Sequence, residues 1–382
     1  MLTNYGLTQD PFAIVPDGPV DNWAGREELK EDLMDLVMGV RASDIGSTEF
    51  LVLHGELGAG KSHALRYLKT QIEKPGSTFN SLAIYVERPR VSAKLNFLEL
   101  HKFIIAEIGR DRIKVFCANV KEEIDITISE LAAAAGFGDE PNKSSFEPRA
   151  IEGIKKNNRN MAQLLRRGAS QPDKVFDFLS GAIKCDGSEY EGKIDSDFMA
   201  AKVLGDLLRV LTSELRPERR IFESVYIFID ECEILFDAKA TESDPVFSGF
   251  RELINGLPYG LGLILSFSAA TALIEAYMPQ HLLKRMTHDF IEVPMLEDGQ
   301  AIQFLKEQLN TFRPVDCPYQ GTFYPFSEAA ISHIVENQTT LTPRNLFKDC
   351  RRVLERAIRR HKLEPGEEIT QDLAERILEH RR

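Results

Sequence analysis

The chain has 382 residues, 43% of them hydrophobic, enough for two or three domains with cores of their own. Its apolar runs, such as Val225–Ile229, fall far short of the roughly 20 residues a membrane helix needs, and the N-terminal MLTNYGLTQDPF lacks both the basic region and the apolar stretch of a secretory signal; a cytoplasmic protein with no membrane partner is expected. A net charge of −12 disfavours coating of nucleic acid by bulk attraction, so any such binding must come from local patches, and five scattered cysteines (Cys117, Cys185, Cys232, Cys317, Cys350) without a CxxC pair speak against a disulfide framework or a zinc site.

In chain order, EFLVLHG (49–55) reads as a buried strand, and KSHALRYLKTQI behind it carries Leu65, Leu68 and Ile72 at helical spacing. SLAIYVERP (81–89) reads as a second strand stopped by Pro89, followed by a helical pattern with Leu95, Leu98, Phe103 and Ile105. ESVYIFIDE (223–231), GLGLILSFS (260–268) and HDFIEVPML (288–296) supply three more strands. Strands that are continuous apolar runs, separated by helical segments, predict a doubly wound α/β domain with a parallel sheet covered on both faces. Beyond Pro294 the pattern is wholly helical, at 297–312, 326–337, 343–361 and 368–380, which predicts a small separate helical domain. The resulting division is an N-terminal segment (1–48), a first core part (49–110), a helical insertion (111–215), a second core part (216–296) and the helical domain (297–382).

The chemistry sits between the first strand and the first core helix. Gly55-Glu56-Leu57-Gly58-Ala59-Gly60-Lys61-Ser62, with His63 next, fits the phosphate-loop pattern GxxxxGK[ST] without a mismatch and in the strand–loop–helix context it requires. Its glycines permit the φ > 0 turns that aim successive N–H groups inward, where they and the helix N-terminus attract phosphate. Lys61 would reach the β- and γ-phosphates of ATP, and Ser62 would ligate Mg²⁺. The acidic partner such a loop needs stands at the end of the third strand, in VYIFIDECE. Asp230 would hold Mg²⁺ with Ser62, and Glu231 would polarise an attacking water. Helix capping by Asp230 and Glu231 is the plainer alternative, and Glu233 reads as a solvated helix-start residue, with a place facing the nucleotide as its alternative.

These residues resemble the AAA+ P-loop ATPases, in particular their origin-recognition-like and transposition-regulator-like branch. GLTQDPF (6–12) followed by NWAGREELKEDL (22–33) is similar to the segment that precedes the phosphate loop there, and the similarity covers roughly 6–110 and 220–362. The resemblance implies that Val20 to Arg26, including Trp23, packs on adenine. It implies a γ-phosphate-sensing polar residue at the end of LSFSAAT, either Ser268 or, in the other register, Ser266. It implies an arginine finger for a neighbouring subunit at Arg285, in LLKRMTHDF, where a surface arginine is the alternative. It also makes TPRNLFKDCRRVLERA the start of a lid helix with a second sensing arginine, Arg344, for which a simple helix-start role competes.

The lid helix has a feature of its own. Leu346, Phe347, Cys350, Val353, Leu354, Ala357 and Ile358 form an inward apolar face, which leaves several of Arg351, Arg352, Arg356, Arg359 and Arg360 outside it. That basic strip within 344–362, and the basic piece IKKNNRNMAQLLRRG (154–168), are the candidate DNA contacts; solvated charge or an acidic neighbouring subunit fits the strip as well. The roughly 135 residues between the second and third strands exceed one crossover, and the 111–215 insertion is the expected docking element for a protein partner. The expectation is an ATP-hydrolysing homo-oligomeric switch, with ATP and Mg²⁺ as its cofactors, acting on DNA or on a DNA-processing partner. The alternative is a signalling NTPase that touches no nucleic acid.

Overall fold

The computed structural model describes residues 2–14, 20–41, 47–75, 80–88, 96–136, 145–154, 158–215, 220–237, 240–257, 259–287 and 289–379. Five strands, β1 (Glu49–His54), β2 (Ser81–Val86), β3 (Ser224–Ile229), β4 (Leu261–Phe267) and β5 (Ile291–Glu292), form one sheet in the order β2-β3-β4-β1-β5. Every pairing is parallel. The sequence reason is visible in β1, where all six residues of EFLVLH are buried: Phe50 and Val52 join one hydrophobic cluster and Leu51 and Leu53 another, so both faces are apolar.

One face is covered by α1 (Glu27–Arg41) and α2 (Lys61–Glu73), through Leu33, Val37, Leu65 and Leu68. The opposite face is covered by α3 (Phe97–Ala134), a 38-residue helix interrupted at Gly109 (φ 78°, ψ 161°). Asn96 caps it by accepting the Glu99 N–H at 2.9 Å. The expected helix therefore begins at Phe97, while Leu95 and the strand-stopping Pro89 lie outside the described residues. Along α3 gather α4 (Glu147–Gly153), α5 (Arg159–Gly168), α6 (Pro172–Leu179) and α7 (Asp197–Thr212). The segment 111–215 is fused to the core: Ile113, Phe116, Leu165 and Leu207 share one cluster with Val225 and Leu263 of the sheet.

The second half continues with α8 (Ile234–Asp237), α9 (Ala240–Gly256), α10 (Thr271–Tyr277) and α11 (Gln280–Leu283). The fifth strand is far shorter than the 288–296 expected: pairing stops after Glu292, and the Val293 N–H makes one last bond to the His54 carbonyl before Pro294 removes the next donor. The helical domain follows as α12 (Asp298–Thr311), α13 (Glu328–Glu336), α14 (Pro343–Arg360) and α15 (Gln371–Glu379). Its core also takes in Tyr5, Leu7 and Phe12. The N-terminal segment thus divides, with residues 2–14 belonging to the helical domain and α1 to the sheet. No helix among the described residues is long and apolar enough to cross a membrane.

Candidate functional site

The phosphate-loop sequence leaves β1 at its carboxyl end and enters α2. Gly55 (φ 149°), Gly58 (φ 84°) and Gly60 (φ 112°) all occupy backbone conformations closed to ordinary side chains. Gly60 caps α2 without a side-chain bond, which leaves the first-turn amides turned toward the loop. Lys61 is buried, and its ammonium donates to the Gly55 and Glu56 carbonyls at 2.9 Å each. With three N–H donors, it retains one for a further acceptor. Burial lowers the Lys61 pKa, with Asp230 and Glu233 opposing and Arg344 reinforcing that shift, so all three side chains lie close enough to act on Lys61. Ser62 is exposed and Leu57 stands out from the loop tip.

β3 delivers the carboxylates to the same end of the sheet. Asp230 is buried, with Oδ2 accepting from the Tyr85 hydroxyl and Oδ1 from the Glu231 N–H, both at 2.9 Å. Each oxygen keeps a lone pair for another partner. Glu231 has a left-handed backbone (φ 51°), and its carboxylate pairs with the Arg88 guanidinium at 3.0 Å. Glu233 accepts the Ser268 N–H at 3.2 Å across to the end of β4; the solvated role read from the sequence is corrected, because the tight turn at Glu231 swings this side chain back over the sheet edge. Ser268 is half-buried beside it, whereas Ser266 lies wholly inside β4.

The segment expected to pack on a base lies between α2 and α12. Val20 donates its N–H to the Thr70 hydroxyl, and Trp23 packs against Tyr67 with ring centroids 5.0 Å apart. His63 bonds the Asn22 carbonyl at 2.9 Å, and its pKa is lowered by burial. Arg26 (φ 54°) donates Nη1 to the Ala59 carbonyl, leaving Nε and Nη2 buried and unpaired, and burial pushes its pKa down to about 10. The helical domain closes the site from above: Gly25 N–H donates to Glu307 of α12 at 2.8 Å, and a Cβ on Gly58 would meet the Arg344 Cβ at 2.8 Å. Arg285 does not join the cluster; it is exposed just after α11, with its N–H on the Leu282 carbonyl.

No family model matches the sequence, and no curated protein does. Among solved structures, the chain is similar to the ORC2 protein of Aeropyrum pernix in its ADPNP–ADP complexes, with 12% identity and a TM-score of 0.56 over 98% of this chain and 72% of that one. It is also similar to the ORC1 protein of the same organism in complex with DNA, with 12% identity and a TM-score of 0.52 over 97% and 69% of the two chains. The fold is that of the ORC-type AAA+ P-loop ATPases. Within the ORC-type fold, the loop, both β3 carboxylates, the base-side segment and Arg344 converge on one edge of the sheet.

Three residues at this edge had escaped the sequence reading. Tyr85, Arg88 and His54 sit at strand ends; a polar group closing an apolar run is the signal each carried. His54 faces Thr271 at 3.2 Å, and burial lowers its pKa. The contact of Glu233 with Ser268 carried no signal, since it depends on the turn. The basic piece 154–168 looks different in three dimensions. Arg166 pairs with Asp125 and Glu147, Arg167 with Glu189, and Arg159 with the Ile154 and Glu152 carbonyls, while Lys155 and Lys156 lie outside the described residues. Its arginines are tied to this chain's own acceptors.

Proposed function

We propose that the protein binds and hydrolyses ATP as an oligomeric AAA+ switch acting on DNA or on a DNA-processing partner. The observation that carries this reading is the juxtaposition, at one sheet edge, of a glycine-built anion cradle holding Lys61 with the Asp230–Glu231 carboxylates. The loop amides and Lys61 hold the β- and γ-phosphates, and the stretch Val20–Arg26 with Trp23 and His63 flanks the base. Ser62 and Asp230 are hard oxygen donors suited to Mg²⁺, which would neutralise charge on the phosphates when bound. Glu231 orients a water and takes its proton as the oxygen attacks the γ-phosphorus; the bond to the bridging oxygen breaks, and ADP and phosphate leave. Arg344 and Ser268 address the γ-phosphate from the lid and the end of β4. Arg285, exposed and outside its own site, completes a neighbour's in this reading.

Hydrolysis would then loosen an assembly bridged by ATP, and the 111–215 segment, fused to the sheet, would carry a protein partner's grip to the site. The Arg88–Glu231 pair favours a slow basal rate, which a signalling NTPase without nucleic acid would share. Steady-state ATP turnover across protein concentration, with and without DNA and with Lys61→Ala as the blank, tests the reading. A specific rate that rises with concentration and with DNA supports it. A rate equal to the Lys61→Ala blank refutes the ATPase, and a rate indifferent to both variables moves the assignment to the signalling class.

A further inference from the structure

Helix α14 carries a cationic face of which the nucleotide site uses only the first residue, Arg344. At 100° per residue, Arg344, Lys348, Arg351, Arg352, Glu355 and Arg359 fall within about a third of the helix circumference, opposite the buried Leu346, Cys350, Val353 and Ala357. Five of the six are cations. Glu355 and Asp10 both pair with Arg351, at 3.3 and 3.1 Å. Lys348, Arg352 and Arg359 make no ion pair among the described residues, and Lys348 and Arg359 are exposed. To one side lies Arg356, whose pKa is lowered by burial and by its neighbours Arg352 and Arg360, so cations crowd one another along this part of the helix.

Holding like charges together on a chain of net charge −12 calls for a polyanionic partner. The composition of the face decides which one. It contains no apolar residue, whereas a protein interface is built around an apolar centre. It contains no aromatic residue, which single-stranded nucleic acid needs as a stacking platform. It is rich in arginine, whose planar guanidinium bonds phosphate bidentately, and from Arg344 to Arg359 it presents charge along about 22 Å of rigid helix.

We propose that the outward face of α14 binds the phosphodiester backbone of duplex DNA without reading its sequence. This deepens the DNA half of the function proposed above and is independent of the ATPase half. Because the Arg344 N–H meets the Gly58 carbonyl at 3.4 Å, the helix that grips DNA is also seated on the phosphate loop. A bound duplex and a bound nucleotide therefore act on one rigid element, and each changes the other's affinity by the same factor.

The test is fluorescence anisotropy of a labelled 20-base-pair duplex, and of its single strand, with the full chain and with the triple variant Lys348→Glu, Arg352→Glu, Arg359→Glu. The triple variant Lys114→Glu, Lys184→Glu, Lys202→Glu changes net charge equally at exposed sites elsewhere and serves as control. With about four phosphates neutralised, duplex affinity should fall about a hundredfold between 50 and 200 mM salt, exceed that for the single strand, and be lost in the α14 variant alone. ATP turnover of the α14 variant without DNA should equal the native rate, which separates failure of the DNA surface from failure of the ATPase reading. Equal duplex binding by the α14 and control variants overturns the proposal. So does an α14 variant that binds duplex normally but loses self-association in sedimentation, which would assign the face to a second copy of the chain.

Discussion

Replacing Gly55 by alanine tests whether the phosphate loop is locked to the edge of the sheet. At φ 149° an alanine incurs about 1–3 kcal/mol of backbone strain. Its Cβ would also stand 2.5 Å from the Val293 carbonyl oxygen, a backbone atom that cannot swing aside. Reaching ordinary contact requires a retreat of about 1 Å. The part that yields is β5, which holds to β1 only at Leu53↔Ile291 and His54↔Glu292, followed by the Val293–His54 bond. Overpacking of this kind costs about 1–3 kcal/mol, so the expected total is about 2–6 kcal/mol. Gly25→Ala is the comparison: φ is 63° and a Cβ meets nothing within 4 Å, so only about 1–2 kcal/mol of strain is expected. Urea unfolding followed by circular dichroism and extrapolated to water gives both values. Equal losses for the two variants would refute the steric argument.

Glu231→Gln should retain ATP binding in a filter assay and lower turnover by about 10²–10⁴-fold; normal turnover removes Glu231 as the base. Arg88→Ala should raise basal turnover up to about fivefold, because a half-exposed ion pair restrains Glu231 by no more than about 1 kcal/mol. A tenfold fall would instead make Arg88 part of the catalytic apparatus. Arg285→Ala should leave nucleotide binding at high dilution unchanged and abolish the rise of specific activity with protein concentration; a rise equal to that of the native chain would remove the trans role. The fully buried His101, held on the Leu179 carbonyl at 2.6 Å, has its pKa pushed down to about 4 by burial. Below about pH 6.5 the unfolded chain takes up a proton that the fold refuses. The protein should therefore be about 2 kcal/mol less stable at pH 5 than at pH 7, with His101→Gln flattening that dependence in urea titrations.

The sheet and the loop were legible because their signals are local. EFLVLH, VYIFI and GLGLILSF are runs of apolar residues on both faces, broken only by Glu49, His54 and Ser266, and a run of that kind reads as a strand buried on both faces. The lid helices were legible for a similar reason: the apolar face of α14 repeats every three to four residues. What the letters hid depends on contacts between distant segments. Glu233 reaches Ser268 only because Glu231 turns through a left-handed conformation. The arginines of α5 look free in sequence and are paired with Asp125, Glu147 and Glu189, residues 41, 19 and 22 positions away. The close seat of Arg344 on Gly58 bridges two domains and leaves no trace in either local pattern.

The same long-range contacts explain why a complete set of motifs need not give a fast enzyme. Two of the three Lys61 donors are spent on the Gly55 and Glu56 carbonyls, and Glu231 is drawn to Arg88 rather than turned toward Lys61. Neither restraint is strong. The Arg88–Glu231 pair is half-exposed and worth about 1 kcal/mol or less, and the Lys61 contacts are charge-assisted hydrogen bonds of about 1.5–3 kcal/mol net. A switch needs restraints of this size, large enough to bias the resting population and small enough for a phosphate group or a neighbouring subunit to overcome. On the proposed reading, phosphate draws Lys61 from the loop carbonyls, Arg285 of a neighbour adds the missing positive charge, and Glu231 leaves Arg88 for the attacking water. The activity then belongs to the assembled pair of subunits, and its dependence on protein concentration is the measurable consequence.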